Sequence, residues 1–372
     1  MAIPAIGICQ KKNKSKKDKS KEDMTLINQG ENTEVADTSS FIKTPEEKQV
    51  TLYKEGIVLM DSTDFEGAIK KFKKATKIKN DYYEAYLKSA QCKMKLEDYK
   101  GAQKDLVDAS NFGPNDFETL KLKAINYYMM KNYADSKIFM DSAMIALEEE
   151  KIDDVEFIYY HAKLMHAGKA YKEALEMCEV ALEVNRNYYD AMILKCQIRF
   201  DSKQFKYAER ELDSTIYKLP EDKKDYNLYR LRAITRFELK NYKGAVSDWN
   251  VYIDAEPDNE EAYIGRAASK ININDFTGAI VDLDQAIKMN PKNHISFCYR
   301  GLAKGSNKQI VEGIKDLDYS IKLKFDYAEG YVNRAALKMA AKDKRGACND
   351  LAKGDSLGNE LAMRLYDQYC KN

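Results

Sequence analysis

The sequence is poor in residues that end helices and in residues that bind metal ions. It has 6 prolines, 3 histidines and 1 tryptophan in 372 residues, and its 7 cysteines include no Cys-x-x-Cys pair. Proline breaks helices, so its scarcity in a chain rich in Lys, Glu, Ala and Leu favours an all-α fold. The lack of clustered Cys and His ligands argues against a metal site. We therefore expect no metal and no cofactor.

Two further absences narrow the class of partner. The 61 basic and 60 acidic residues nearly cancel, so the chain lacks the one-sided charge typical of nucleic-acid binding. No run approaches the roughly 18 apolar residues that a membrane-spanning helix needs. Since hydrophobic residues still make up 44% of the chain, it can bury a substantial core. We expect protein partners, with any link to a membrane passing through a protein complex.

A block of 17 residues recurs along most of the chain. It reads DFEGAIKKFKKATKIKN from Asp64, DYKGAQKDLVDASNFGP from Asp98, NYKGAVSDWNVYIDAEP from Asn241 and DFTGAIVDLDQAIKMNP from Asp275. The small residue of the block recurs nine times, at Ala68, Ala102, Ser136, Ala174, Ala208, Ala245, Ala279, Gly313 and Ala347. Six of the eight steps between these residues are 34 long, and the other two are 38 and 37. Such a period is the signature of a repeat protein.

Each repeat carries the pattern of two helices that cross closely. A second small residue lies twelve positions before the first, as Gly56 lies before Ala68, and a large apolar residue such as Phe72 follows four positions later. Small residues let two helices approach, and large residues fill the space beside the crossing. Four of the six prolines close a repeat, where a helix must stop. They are Pro114, Pro220, Pro257 and Pro291.

This pattern resembles the tetratricopeptide repeat, a 34-residue helix-turn-helix unit. The resemblance implies an all-α, right-handed superhelical solenoid over residues 45–372. Its units lie near residues 49–82, 83–116, 117–154, 155–188, 189–225, 226–259, 260–293, 294–327 and 328–358, with a closing helix at 359–371. Ser136, Tyr252 and Gly354 depart from the repeat pattern and put local packing in question. The two longer steps predict a surface loop or a lengthened helix near residues 148–154 and 220–226.

Positions 7 and 23 of the units, counted from residues 49, 83 and so on, hold opposite charges. The pairs are Arg232/Asp248, Arg266/Asp282, Arg300/Asp316, Arg334/Asp350 and Lys195/Glu211, and Glu55/Lys71 is the same pair reversed. A ladder of arginines that binds acidic ligands is one interpretation. The reversed pair favours the other, in which half-buried ion pairs fix the pairing of the two helices.

No catalytic arrangement stands out. His161 and His166 are five residues apart, which does not place them on one helix face as a HExxH zinc site does. There is neither a Gly-rich phosphate loop nor a nucleophile elbow. We expect that the protein is not an enzyme.

Stacked units of this family form a long concave surface, and the resemblance implies that this surface binds proteins. Positions 2, 5, 9 and 12 of the first helices are expected to face inward. Aromatic and flexible apolar side chains there would hold a partner segment, although packing between units is an alternative role. The candidate groove residues are Tyr53, Met94, Tyr128, Tyr159, Phe200, Arg230 and Phe237. No unit combines Lys at position 5 with Asn at position 9, so the chain lacks the carboxylate clamp of tetratricopeptide-repeat cochaperones.

Cys348 and Cys370 lie eleven residues before and after Asn359, beside a Gly358-Asn359 turn. If helices run on both sides of that turn, the two thiols sit at the same height. The segment also resembles the tail of exported bacterial tetratricopeptide-repeat proteins, where two such cysteines recur, and this resemblance implies a disulfide. Two buried free thiols are the alternative.

The first nine residues, MAIPAIGIC, are apolar and precede Gln10 and a run of lysines. An apolar stretch before a polar chain is typical of the end of a secretory leader, although a positive start is missing. We interpret residues 1–44 as a leader remnant followed by a disordered lysine-rich tail. Cys9 is lipidated, or removed with the leader, or present only through the choice of start site.

These observations predict an exported protein in the periplasm of a Gram-negative bacterium, where disulfides persist. The family resemblance implies a non-enzymatic scaffold that binds partner segments in its groove, in a cell-envelope assembly or secretion complex. The alternative is a cytoplasmic adaptor or regulatory subunit with reduced cysteines.

Overall fold

The computed structural model describes residues 44–371. Apart from Thr44, the expected leader remnant and lysine-rich tail lie outside these residues. The described chain forms nineteen α-helices and one 3₁₀ turn, Glu221–Lys223. The helices are α1 Pro45–Asp61, α2 Phe65–Ile78, α3 Tyr83–Lys95, α4 Tyr99–Phe112, α5 Phe117–Met129, α6 Tyr133–Glu150, α7 Val155–Ala167, α8 Tyr171–Val184, α9 Tyr189–Asp201, α10 Phe205–Lys218, α11 Asn227–Glu238, α12 Tyr242–Ala255, α13 Glu260–Asn272, α14 Phe276–Met289, α15 His294–Ser306, α16 Ile310–Leu323, α17 Ala328–Ala340, α18 Lys344–Ser356 and α19 Glu360–Tyr369.

The helices stack in the order of the chain. Each helix packs against the one before and the one after it, and the first helices of successive units also touch, as α13 touches α15. Helix α19 packs on α18 and closes the stack. The prediction of an all-α solenoid of helix pairs with a closing helix is confirmed. Within residues 44–371, no helix is both long and apolar enough to cross a bilayer.

The core of each unit lies at the predicted helix crossing. A Cβ atom built on Gly56 would lie 2.5 Å from the ring of Phe72, so no larger residue fits there without a shift. Gly301 and Gly313 meet backbone to backbone, because a Cβ on either would lie within 2.8 Å of the other's carbonyl oxygen. The large residues beside the nine crossings are at most 4% exposed. They are Phe72, Leu106, Met140, Cys178, Leu212, Trp249, Leu283, Leu317 and Leu351.

One turn geometry joins the two helices of every unit. The residue at position 15 has a φ between 57 and 64° in all nine units, for example Lys308 and Asn274. This left-handed conformation is unfavourable for residues with a Cβ. In six units the next residue is an Asp or Asn whose side chain accepts a hydrogen bond from the backbone three residues later, as Asp275 does from Gly278 N. These caps satisfy a free N–H and fix the start of the second helix.

The two longer steps have different structures. The first lengthens a helix, since α6 has 18 residues where the second helices of other units mostly have 14, and Lys151 ends it with a φ of 54°. The second forms the 3₁₀ turn Glu221–Lys223.

The three departures from the repeat pattern are accommodated locally. Ser136 donates a hydrogen bond across the crossing to Ala124 O at 2.9 Å. Tyr252 is 5% exposed and packs edge-on against Trp249, while Asn259 donates to its hydroxyl at 3.2 Å. Gly354 is buried where a Cβ would lie 2.9 Å from Ala362. Each departure from the repeat pattern therefore fits its own surroundings.

Cys348 on α18 and Cys370 at the end of α19 are joined by a disulfide, with Cα atoms 5.7 Å apart. The bond ties the closing helix to α18, on which it packs. The other described cysteines, Cys92, Cys178, Cys196 and Cys298, are free and buried.

Candidate functional site

The predicted ion pairs between positions 7 and 23 all form. The N–O distances of the four arginine pairs, from Arg232–Asp248 to Arg334–Asp350, are 2.6 to 2.7 Å. Lys195–Glu211 measures 3.0 Å, and the reversed pair Lys71–Glu55 measures 2.6 Å. The arginine side chains are 14 to 17% exposed and their aspartates 3 to 10%. The predicted pairs therefore form, but their burial varies: the four aspartates are buried, whereas Lys71 and Glu55 are 35 and 46% exposed.

These pairs belong to a larger network that was not predicted from the sequence. Each aspartate binds a second cation four residues after the arginine, at 2.8 Å. Each arginine also reaches a side chain of the preceding unit and lies over the aromatic ring at position 4. The second cations are Arg236, Lys270, Lys304 and Lys338; the preceding-unit acceptors are Asp213, Asn250, Asp284 and Asp318; the rings are Tyr229, Tyr263, Phe297 and Tyr331. The repeated charges at positions 11 and 25 were the available signal.

The network leaves these arginines few free donors. Arg300, for example, uses Nε and Nη2 on Asp316 and Nη1 on Asp284. Burial lowers its pKa, but the hydrogen bonds to both aspartates outweigh that effect and raise it. The donors of the arginine ladder are therefore used within the fold, which favours the structural interpretation over binding of acidic ligands.

The seven candidate groove residues lie on first helices and are half-buried. Several pack within their own unit: Tyr53 is 5.3 Å from Tyr82, and Phe200 is 5.9 Å from Phe205 between ring centroids. Phe237 packs against Tyr242 in the same way, and Met94 packs against the core between α3 and α4. Arg230 has no ion-pair partner among the described residues. Part of this row therefore has the alternative role, packing within the units.

Two of the candidates, Tyr128 on α5 and Tyr159 on α7, come together around Lys163. The Lys163 Nζ lies 5.3 Å from the centroid of each ring and 5.1 Å from that of Tyr160. Tyr160 bridges the two candidates at 5.8 Å from each, and Tyr188 packs edge-on against Tyr159 at 5.5 Å. We call these five residues the tyrosine–lysine cluster.

The sequence reading did not single out Tyr160, Lys163 or Tyr188. Lys163 occupies position 9, one of the four positions expected to face inward, and this was the signal that could have found it. Tyr160 and Tyr188 occupy positions 6 and 34, which were not assigned to the groove.

The electrostatics of the cluster set Lys163 apart from other lysines. Burial lowers the pKa of Lys163, partly offset by Asp190, and no carboxylate among the described residues lies within ion-pairing distance of its Nζ. The neighbouring Lys121 instead pairs with Asp154 at 2.7 Å and Glu156 at 3.5 Å. Burial likewise raises the pKa of Tyr159 and, with Asp190, raises that of Tyr188 to about 12. The cluster thus holds, among neutral phenols, one ammonium group that has no ion-pairing carboxylate among the described residues.

His161 and His166 have different surroundings. His166 Nε2 lies 2.8 Å from Asp201 Oδ2, whereas burial lowers the pKa of His161. Among residues 44–371, no three His, Cys, Asp or Glu side chains converge as metal ligands do.

Residues 59–125 match the family model described as tetratricopeptide repeat. A tetratricopeptide repeat protein from Parabacteroides merdae has 16% sequence identity and a TM-score of 0.51, over 68% of this chain and 97% of that one. YrrB, described as a repeat protein with an unusual peptide-binding site, has 16% identity and a TM-score of 0.46 over 50% of this chain and 94% of that one. The first repeat domain of Spaghetti, bound to an HSP90 peptide, has 20% identity and a TM-score of 0.30 over 32% and 93%. No curated protein matches the chain.

The fold thus defines a helical-repeat solenoid. The units outside residues 59–125 repeat the same crossing, turn and stacking, so the described chain has the fold of tetratricopeptide-repeat proteins. Proteins of this family generally mediate protein–protein interactions, and the fold is typically not enzymatic.

Proposed function

We propose that this protein is a non-enzymatic scaffold that binds segments of partner proteins on the face formed by its first helices, in a cell-envelope assembly or secretion complex. One observation carries the proposal. Lys163 holds a half-buried positive charge over three tyrosine rings, without a carboxylate within ion-pairing distance among the described residues. A group partly removed from water gains most from an opposite charge that reaches it.

The cluster indicates the chemistry of the partner segment. The tyrosines offer large rings and hydroxyl groups, which are enriched in protein interfaces. The ammonium group of Lys163 favours an anion, and a carboxylate side chain of the partner segment would supply it. We therefore propose that the segment carries an acidic residue flanked by apolar or aromatic residues.

Substitutions of Lys163 test this role directly. Tagged full-length protein is used to capture partners from an envelope extract, and the affinity of each purified partner is then measured. Lys163→Gln should weaken binding about tenfold or more, as expected for a lost charge-assisted hydrogen bond, while Lys163→Arg keeps most of it. Lys308→Gln, at an exposed turn, is the control. If Lys163→Gln binds as tightly as Lys308→Gln, the cluster is not the site.

Variants of the other candidates separate binding from packing. Tyr159→Ala combined with Phe200→Ala should weaken partner capture, but both rings pack on neighbours, so circular dichroism must show unchanged helix content. Tyr159→Phe keeps the ring contacts and removes only the hydroxyl group. Arg230→Gln tests the second candidate cation without an ion pair. Unfolding of the double variant would assign those rings to packing.

The proposed location in the periplasm rests on the disulfide and on the leader-like first residues. Thiol trapping in intact cells, followed by fractionation, measures the oxidation state of the cysteines and the location of the protein. Export predicts that Cys348 and Cys370 resist alkylation until a reductant is added and that the protein leaves with the periplasmic fraction. Cytoplasmic protein with both thiols alkylated would favour an adaptor or regulatory subunit inside the cell.

A further inference from the structure

Units 6 to 9 show four times how this fold holds an arginine side chain. In unit 8 the Arg300 guanidinium forms a two-bond fork with Asp316 at position 23 and lies 5.3 Å from the ring centroid of Phe297 at position 4. Lys304 at position 11 binds the same aspartate at 2.8 Å. We call the space between the position-4 ring and the position-23 carboxylate the arginine socket.

Unit 2 has the walls of this socket without the arginine. Tyr86 occupies position 4, Asp105 position 23 and Lys93 position 11, and Lys93 lies 2.6 Å from Asp105 as the corresponding lysines do in later units. Position 7 is Ser89, whose side chain is too short to reach across. A cavity of about 330 Å³ lies there, lined by these four residues and by residues of α2.

No other unit combines these features. Units 3 and 4 have neither the carboxylate nor the arginine. Positions 7 and 23 are Lys123 and Phe139 in unit 3, where the lysine lies over the ring, and His161 and Met177 in unit 4. Units 1 and 5 keep a complete charge pair. Unit 2 alone among the nine has an acid at position 23 and a small residue at position 7.

We infer that this cavity receives an arginine side chain from a partner protein, whose guanidinium group binds Asp105 and stacks on Tyr86 in the place that Arg300 takes in unit 8. A planar fork fits the carboxylate and the ring together, whereas an ammonium group repeats what Lys93 already supplies. Residues 1–43 contain no arginine, so that part of the chain cannot supply it. The inference involves no residue of the tyrosine–lysine cluster and stands or falls separately from the proposed function.

One wall differs in charge. Lys73 stands at position 25 of unit 1, where the preceding units of the later sockets offer Asp213, Asn250, Asp284 or Asp318. The later arginines meet two carboxylates or, in unit 7, a carboxylate and an amide. An arriving guanidinium group meets Asp105 alone, and the exposed Lys73 and Lys77, which also line the cavity, weaken its binding. Lys73→Asp should strengthen that binding about two- to fivefold, the range for partly exposed charge pairs.

Ligand-observed NMR on the full chain tests the socket at low salt. Methylguanidinium should show saturation transfer and line broadening, and methylammonium should not. Ser89→Arg should abolish the effect by filling the socket from within, and Ser89→Ala should keep it. Asp105→Asn removes the carboxylate and should also abolish it, which covers the case in which Ser89→Arg does not fold.

A short peptide with one arginine then identifies the source of the group. It should bind at least as tightly as methylguanidinium, and the same peptide with citrulline or lysine should not bind. Equal signals from methylguanidinium and methylammonium, or an effect unchanged in Ser89→Arg, would overturn the inference. Binding of methylguanidinium without binding of the arginine peptide would overturn the assignment to a partner protein.

Discussion

Arg300 donates two hydrogen bonds to Asp316, which lies sixteen residues later in the chain. Nε donates to Oδ2 at 2.9 Å and Nη2 donates to Oδ1 at 2.7 Å. Its remaining Nη1 donates to Asp284 of the preceding unit at 2.7 Å. One side chain thus fixes the two helices of its own unit and connects them to the neighbouring unit. In a solenoid, where units touch only their neighbours, such a contact acts on both intrinsic and interface stability.

Removing either partner of this pair should therefore destabilise units 7 to 9. We expect Arg300→Ala to cost roughly 2–4 kcal/mol, and Asp316→Asn to cost at least as much, because Lys304 then loses its partner and Arg300 keeps only Asp284. Hydrogen exchange is the suitable measurement, since repeat arrays need not unfold in one step. Lys315→Ala, on the exposed side of the same helix, is the control. Protection of α15 and α16 equal to that of the control would show that the network adds nothing.

The helix crossing of unit 8 gives a second prediction. Gly301→Ala should destabilise by roughly 1–3 kcal/mol, because its Cβ would lie 2.8 Å from a backbone oxygen that cannot swing aside. Gly168→Ala is the matched control, since its nearest neighbours are 3.6 Å away. Thermal melting compares the two. Equal melting temperatures would mean that the crossing is looser than the structure describes.

The buried thiols give a dependence on alkaline pH. Burial raises the pKa of Cys92 and Cys196 to about 11 and of Cys178 to about 12, from an ordinary value of 9.0. The unfolded chain then loses these protons at a lower pH than the folded chain, so stability is full below pH 9 and falls between pH 9 and about 12. Lys123 and Lys163, whose pKa values burial lowers, act with the opposite sign.

A single substitution isolates the thiol contribution. Cys178→Ala should be less stable than the parent at pH 8 but lose less stability between pH 9 and 11. The slopes of the unfolding free energy against pH should differ by at most the contribution of one proton. Urea unfolding across that range measures the difference. Parallel curves for the two proteins would contradict the raised pKa of Cys178.

The repeat itself explains how much of this fold the sequence could predict. Nine copies of one pattern report which residues meet inside a unit, so the crossing of Gly56 with Phe72 and the pairing of Arg266 with Asp282 followed from spacing. Contacts between units were harder to predict from the sequence. The contact of position 25 with position 7 of the next unit can be inferred only when the stacking of the units is known. The role of Asp284 therefore escaped the sequence reading.

The candidate site was less predictable for a related reason. Tyr128 lies on α5, Lys163 on α7 and Tyr188 just before α9, and their meeting depends on the superhelix and on rotamers that no single repeat encodes. The cavity in unit 2 exists because the short side chain of Ser89 stands where later units have an arginine. Comparing position 7 across the nine units does reveal that difference, but only the structure shows that the neighbouring side chains leave the space open.

The disulfide at the end of the chain gives the last prediction. Cys348 and Cys370 close a loop of 22 residues, which is worth up to about 3 kcal/mol in the chain-entropy estimate. Because no described helix follows α19, Cys370→Ser or reduction should fray this helix while the central units keep their protection. Hydrogen exchange of Glu360–Tyr369, with and without dithiothreitol, measures the effect. Dithiothreitol should not alter exchange in Cys370→Ser, and this is the control for other actions of the reductant. If α19 of the parent exchanges equally fast in both conditions, packing of Leu365 and Tyr366 holds the closing helix, and the disulfide contributes nothing to it.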